Sequence, residues 1–356
     1  MTRIRVGLLG LGVVGGAAAR LIDAQRHRWR RQYGLDISWR RALVRDPAKP
    51  RPVDAAGRLT VDPAEIVEAG DIDVVVEAMG GVEPAGTYVL RALRAGKRVV
   101  TANKALLAER WEQLQEAAAE AGQRLGIEGA VAAAVPCLAA FEQVLAAAQV
   151  ERIDAVLNGT CNFILHRMER TRASLAEVLK EAQALGYAEM DPTDDISGRD
   201  AARKGTVLSL LAWGRRPADV QCRGIEDVTP ADVAAARDAG GHLRLVVSLE
   251  APAGGEPRLR VGPQVLPAGH PLAGLEGPDN GLCIQARPLG RLFLSGPGAG
   301  GDATACAVVG DVIRGTLARP AGSKLVVICD EREATAAAPG PGHRAADDPL
   351  AAADRL

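Results

Sequence analysis

The chain has 356 residues, of which 47% are hydrophobic and 24% charged, a length that predicts about two domains and an apolar content that can fill their cores. A net charge of −1 excludes the basic footprint of a nucleic-acid binder, and the densest basic run, residues 26–31, reads as a solvated helix end. The six cysteines form no Cys-x-x-Cys pair and the five histidines no ligand spacing, which argues against a zinc site or a disulfide framework.

Residues 4–9 are a short apolar run ending at glycine, the pattern of a buried parallel strand. A helix is expected over 13–25, a second strand over 36–44, a third over 73–78, a helix over 87–95, a fourth strand over 97–101, a helix over 104–121 and a fifth strand over 124–128. Such alternation predicts an α/β fold with a Rossmann-type, doubly wound parallel sheet over residues 1–135. After about residue 135 the pattern changes. A strand over 150–157, helices over 174–185 and 200–212, and strand-like runs at 243–249, 258–261, 282–285 and 291–295 predict an α+β domain with a mixed sheet over 136–302. A helix over 304–317 and a strand then return the chain to the first domain by 330, and residues 331–356 read as a disordered tail. No apolar run approaches the ~20 residues of a membrane span. The turn glycines arrive where the core of a leader would sit, so the expectation is a cytoplasmic protein without a membrane partner.

Gly10-Leu11-Gly12-Val13-Val14-Gly15 lies between the first strand and the first helix. Gly10 permits a tight turn, Gly12 lets a pyrophosphate approach the backbone, and Gly15 lets helix and strand pack closely. The amides of Val13 and Val14 at the helix start face the phosphates. At the end of the second strand Arg45 and Lys49 favour NADP, whereas Asp46 next to Arg45 keeps NAD open. Gly80 and Gly81, after the third strand, let the backbone approach the same ligand.

Asp200 and Lys204 are four residues apart on an expected helix and share one face, as an exposed ion pair would equally. Other segments are more particular: Thr101-Ala102-Asn103-Lys104; Asn158-Gly159-Thr160-Cys161-Asn162-Phe163-Ile164-Leu165; Gly186-Tyr187-Ala188-Glu189-Met190-Asp191-Pro192; then Asp195, Gly198, Asp200 and Lys204; and later Gly224-Ile225-Glu226, His270-Pro271-Leu272 and Gly298-Ala299-Gly300 with Thr304-Ala305. In order and spacing these resemble homoserine dehydrogenase, from the first strand to about residue 330. The resemblance implies reversible, NAD(P)-dependent interconversion of homoserine and aspartate 4-semialdehyde in threonine, methionine and isoleucine biosynthesis. It further implies Lys204 as acid/base with Asp200 beside it, Lys104 as the second choice for that role, and Glu189 on the substrate ammonium. The backbone N–H groups of Asn158, Gly159 and Thr160, with the Thr160 hydroxyl, are suitable donors for the substrate carboxylate, and Asn103, Lys104 and Gly300 lie on the cofactor side. The family also implies a homodimer.

One stretch departs from the family. Some members hold a sodium ion through backbone carbonyls where this chain has Glu128, Val131, Ala133 and Val135, and Ala133 and Ala134 replace common glycines. Some members also carry a C-terminal amino-acid-sensing module, which the tail after 330 does not resemble. Two alternatives stay open on the residues alone: another amino-acid dehydrogenase with the same nucleotide domain, or a nucleotide-binding sensor without turnover.

Overall fold

The structure is a computed structural model that describes residues 1–51, 53–252 and 255–317. The strand expected before 330 and the tail expected from 331 lie outside the described residues.

Strand β1 (Thr2–Leu9) opens the chain, with Ile4, Val6, Leu8 and Leu9 buried on both faces, as an interior parallel strand requires. Helix α1 (Val13–Tyr33) runs eight residues past the expected end. Arg and Gln are good helix formers, and no breaker occurs until Gly34, which ends the helix at φ 65° with its amide on the Trp29 carbonyl. The basic run, with Arg30 and Arg31 in the final turn, fills the last turns of the helix. Arg26 and Arg30 reach from it to the buried Asp36 at 2.6 and 2.8 Å, so part of the run is structural rather than solvated.

There follow β2 (Leu35–Leu43), β3 (Leu59–Thr60), α2 (Ala64–Val67), β4 (Val74–Glu77), α3 (Ala85–Arg94), β5 (Arg98–Thr101) and α4 (Lys104–Glu120). The five strands form one parallel sheet in the order β3-β2-β1-β4-β5, with the strand order reversing between β1 and β4. A ligand crevice is expected outside the carboxyl ends of the strands at such a reversal.

The fifth strand expected at 124–128 is reduced to a single bridge, Val100 to Gly126. The physical reason lies in the helix that returns later: Asp311 accepts the Glu128 amide at 2.9 Å, taking it out of any ladder, and Glu128–Ala130 coils into a 3-10 turn. The short edge strand β3 takes the fifth place instead.

Helix α5 (Cys137–Gln143) leads to β6 (Gln149–Val156), α6 (Gly159–Thr171), α7 (Leu175–Ala184), α8 (Thr193–Ile196), α9 (Arg199–Trp213), β7 (Asp219–Cys222), α10 (Pro230–Asp238), β8 (Gly241–Glu250), β9 (Arg258–Pro267), β10 (Asp279–Arg287) and β11 (Gly290–Pro297). The second sheet is mixed, in the order β11-β10-β6-β8-β9-β7, with β7 parallel to β9 and the other neighbours antiparallel. Helix α11 (Gly301–Leu317) comes back to the first sheet, where Ala305, Val308, Val309 and Val312 join the cluster of β1, α1 and β2. Helices α6 and α9 lie against the second sheet and present their N-terminal ends to the crevice side.

Candidate active site

At the carboxyl end of β1, Gly10 has φ 100°, a conformation that penalises any side chain, and a Cβ there would stand 2.8 Å from the Ala78 carbonyl oxygen. A Cβ on Gly15 would stand 2.1 Å from the Gly10 oxygen, so the turn and α1 pack as only two glycines allow. Gly12, by contrast, faces open space and caps α1 without a side-chain acceptor, which leaves the Val13 and Val14 amides unpaired at the positive end of the helix. The turn borders a cleft of about 780 Å³ lined by Gly10, Gly12, Arg45, Lys49, Gly80 and Tyr88, a space and donor set that fit a dinucleotide. Gly300 (φ 107°) starts α11 beside the turn, since a Cβ on its neighbour Gly301 would meet the Val13 oxygen at 3.0 Å.

Across the crevice one carboxylate gathers two lysines. Asp200, in the first turn of α9, is buried, with Lys104 Nζ 2.6 Å from one oxygen and Lys204 Nζ 2.8 Å from the other. Lys104 is the first residue of α4, placed there by the Asn103 cap, whose side chain accepts the Leu106 amide. Lys204 also donates to the Leu157 carbonyl at 2.7 Å, and Asn158 Nδ2 donates to Asp200 at 3.0 Å. Burial opposes a charge on Asp200, but the ammoniums of Lys204 and Lys104 outweigh it and hold the carboxyl well below the usual carboxylate range. The exposed helical ion pair that spacing alone allowed is excluded: the pair is buried and carries a third member from the other sheet's helices.

Residues 136–313 match the homoserine dehydrogenase family, and residues 10–128 match that family's NAD-binding domain. The homoserine dehydrogenase of Corynebacterium glutamicum is 41% identical over 316 residues, 87% of this chain and 71% of the relative, and that of Bacillus subtilis 37% identical over 88% and 73%. The chain belongs to the homoserine dehydrogenase family. It is accordingly an NAD(P)-dependent oxidoreductase. A crystal structure of the homoserine dehydrogenase from Thiobacillus denitrificans superposes with a TM-score of 0.82 at 38% identity, covering 89% of this chain and 74% of that one. A hyperthermophilic archaeal homoserine dehydrogenase in complex with NADPH gives 0.76 at 28% identity, covering 89% and 98%.

Against the homoserine dehydrogenase reaction, the remaining expected residues fall into two groups. Asn158 caps α6 and spends its amide on Asp195 (2.7 Å) and Asp200 (3.0 Å), and the Thr160 hydroxyl spends its proton on the Tyr187 carbonyl (2.7 Å). Both side chains have partners within the protein, whereas the amides of Gly159 and Thr160, which begin α6, have no intrahelical partner and stand as donors for a carboxylate. Glu189 lies on the exposed 186–192 loop, its carbonyl held by Gln183 Nε2 at 3.0 Å, and no hydrogen bond or ion pair among the described residues joins its carboxylate to Asp200 or the lysines. The Thr160–Tyr187 bond ties that loop to the start of α6.

Two residues without an expected role also enter the site. Asp195 accepts from Asn158 at 2.7 Å, with its other oxygen 3.2 Å from the Thr160 hydroxyl, and so braces the turn. Arg51 spans the cleft mouth, donating to the Leu11 carbonyl (3.2 Å) and the Asp46 carbonyl (2.8 Å). The spacing of Asp195 to Asp200 is visible in the sequence; nothing around Arg51 marks it.

At the departing stretch, the Glu128 carboxylate is buried and accepts the Leu138 and Ala139 amides at 2.8 and 3.0 Å, with Arg314 at 3.1 Å. Ala133 has φ 54°, so the alanine adopts the left-handed conformation that a glycine would take without strain. Among the described residues no helix is long and apolar enough to cross a membrane.

Proposed function

We propose that Lys204 is the acid/base of the homoserine dehydrogenase reaction and that Asp200 is the carboxylate that aims it. The observation carrying this is the clamp: Lys204 is fixed by two acceptors, Asp200 and the Leu157 carbonyl, which leaves its third N–H for a substrate oxygen. Its side chain is 13% exposed, against 37% for Lys104, so Lys104 is the more mobile of the two and the better candidate for steering substrate and cofactor. When bound, NAD(P) exchanges the hydride. In reduction the Lys204 ammonium gives a proton to the aldehyde oxygen; in oxidation the neutral amine takes the hydroxyl proton. Asp200 has both oxygens engaged, which favours a holding role over binding the substrate ammonium. Glu189 on the 186–192 loop takes that ammonium, and the Gly159 and Thr160 amides take the carboxylate.

Arg45, Lys49 and Arg51 around the cleft support NADP over NAD, as does the likeness to an enzyme solved with NADPH. The carbonyls of Glu128, Val131, Ala133 and Val135 would hold a sodium ion; the left-handed Ala133 supports this, since the backbone bends there as it would with glycine. Residues 1–135 then act as the nucleotide domain, 136–302 as the substrate and dimerisation domain, and helix α11 as the return, in a cytoplasmic homodimer. The test is absorbance of reduced nicotinamide with homoserine and NADP or NAD at alkaline pH, with and without sodium. A substrate-dependent signal stronger with NADP is expected; equal rates with both cofactors would remove the NADP assignment.

A further inference from the structure

Glu77 ends β4 at the point where the strand order reverses, opposite Leu9 of β1 on one side and Thr101 of β5 on the other. It is fully buried, yet among the described residues no ion pair includes it. Its carboxylate is met only by donors. One oxygen accepts the Thr101 hydroxyl at 2.5 Å; the other accepts the Met79 amide at 2.8 Å and, at 3.4 Å each, the Gly80 amide and Asn103 Nδ2. The Thr101 hydroxyl oxygen in turn accepts the Asn103 backbone amide at 3.0 Å, so Thr101 links Glu77 to the start of the cap.

A carboxylate offers acceptors alone and so meets all four donors at once, whereas a glutamine could keep the set only by reversing the Thr101 bond. Burial pushes its pKa up and the bonds from Thr101, Met79, Asn103 and Gly80 pull it back. An apolar strand end would avoid that cost. What the charge secures is the two loops beside the crevice. Met79 and Gly80 begin the loop whose Gly80 lines the cofactor cleft. Asn103 caps α4, donates to the Gly81 carbonyl at 2.6 Å, and directly precedes Lys104, which meets Asp200 at 2.6 Å.

We propose that Glu77 is a positioning residue for the dehydrogenase reaction: its carboxylate holds the 79–81 loop and the Asn103 cap in one register, and through the cap it fixes where Lys104 meets Asp200. This rests on the proposed role of Lys104 at the substrate and cofactor.

The test is a double-mutant cycle read by kcat and KM for homoserine and NADP, using Glu77→Ala and Lys104→Ala alone and combined, with Glu77→Gln as the conservative variant. Glu77→Ala is expected to lower kcat/KM by at least about tenfold, the scale of a small misplacement at a reacting centre. In Glu77→Gln the Nε2 can donate to Thr101, whose oxygen has a second lone pair, and most of the loss is recovered. In the Lys104→Ala background the Glu77→Ala effect largely disappears, because the group it positions is gone. Equal factors in both backgrounds would mean Glu77 merely stabilises the fold and would overturn the proposal, as would wild-type turnover in Glu77→Ala. Should Glu77→Ala fail to fold, Glu77→Asp, whose carboxylate is one methylene short of the same donors, takes its place in the cycle: a loss that vanishes in the Lys104→Ala background supports the proposal, and equal factors overturn it. Wild-type kcat in Lys104→Ala alone overturns the reading of Lys104 and the coupling with it, whereas a loss there with equal Glu77 factors overturns only the positioning role of Glu77.

Discussion

Replacing Lys204 by Ala or Met isolates the proton-transfer role from the fold. In either variant Asp200 keeps Lys104 at 2.6 Å and Asn158 at 3.0 Å, so no buried charge is left alone. What is lost is the Lys204 bond to Asp200 and the one to the Leu157 carbonyl, each a bond from a charged group worth about 1.5–3 kcal/mol. Together they are a sizeable share of the ~5–15 kcal/mol that stabilises an ordinary domain, so the urea midpoint of each variant is measured beside its turnover. Lys204→Met keeps the aliphatic volume and is expected to be the more stable variant. Turnover responds on a different scale. A positioned general acid contributes about 10²–10⁴-fold, or roughly 2.7–5.4 kcal/mol of barrier. The assay is kcat and kcat/KM in both directions, with NADP affinity followed separately by quenching of protein or nicotinamide fluorescence. The expected pattern is a fall in kcat of at least about 10² with cofactor affinity unchanged. Turnover within about tenfold of the parent would refute Lys204 as the acid/base. A larger loss in Lys104→Ala than in Lys204→Ala would exchange the two assignments, which the geometry forbids only through the tighter fixing of Lys204.

Arg45→Ala is expected to lower kcat/KM for NADP by tenfold or more, from a lost charge-assisted bond of about 1.5–3 kcal/mol, and to leave NAD unchanged; equal losses with both cofactors would remove Arg45 from the 2′-phosphate site. Asp36 is held below the usual carboxylate range by its bonds from Arg26 and Arg30. With a depressed folded pKa, its stabilisation is present above the unfolded value of about 3.9 and is lost as pH falls through the folded one. Asp36→Asn should therefore lower the urea midpoint at pH 7 by an amount worth about 1 kcal/mol, the arginines being 41% and 40% exposed, and the gap should close toward pH 2; a gap constant with pH would show that charge is not its source. Ala133→Gly relieves a left-handed alanine worth about 1–2 kcal/mol against ~0.4–1 kcal/mol of added unfolded-state entropy, so Tm should rise by roughly 2 °C, and a fall would show that Ala133 carries no strain.

The parts of the fold legible in the sequence are those governed by local pattern. The interior strands β1 and β4 show as short apolar stretches at 6–9 and 74–76, and the turn between β1 and α1 announces itself by glycines whose Cβ atoms would collide. Where the sequence misleads, a distant residue decides. Residues 124–128 have strand composition, but Asp311, far along the chain, captures the Glu128 amide. Helix α1 overruns its expected end because the position of Gly34, not the apolar period, stops it. Edge strands β3 and β7 are only two and four residues long, too short for any period to register.

The site divides along the same line. Asp200 and Lys204 share a helix face at a spacing that can be counted, whereas Lys104, 96 positions before Asp200, reaches the same carboxylate only because α4 and α9 pack together. Glu77 is harder still to see. In the string Val74-Val75-Val76-Glu77-Ala78 it looks like the polar end of a strand meeting water, and its burial follows from β1 and β5 flanking it and two loops folding over it. Its partners are a hydroxyl, an amide side chain and two backbone N–H groups, none of which has a charge signature that spacing could reveal. The residues that do chemistry carry charge and can be found by their types; those that aim them work through hydrogen bonds to backbone, and only the folded chain shows which backbone. On the proposed assignments, the aiming side of the site is Glu77 with Asn103 from one sheet and Asn158 with Asp195 from the other, and substitution there is expected to impair Lys104 and Lys204 without touching either.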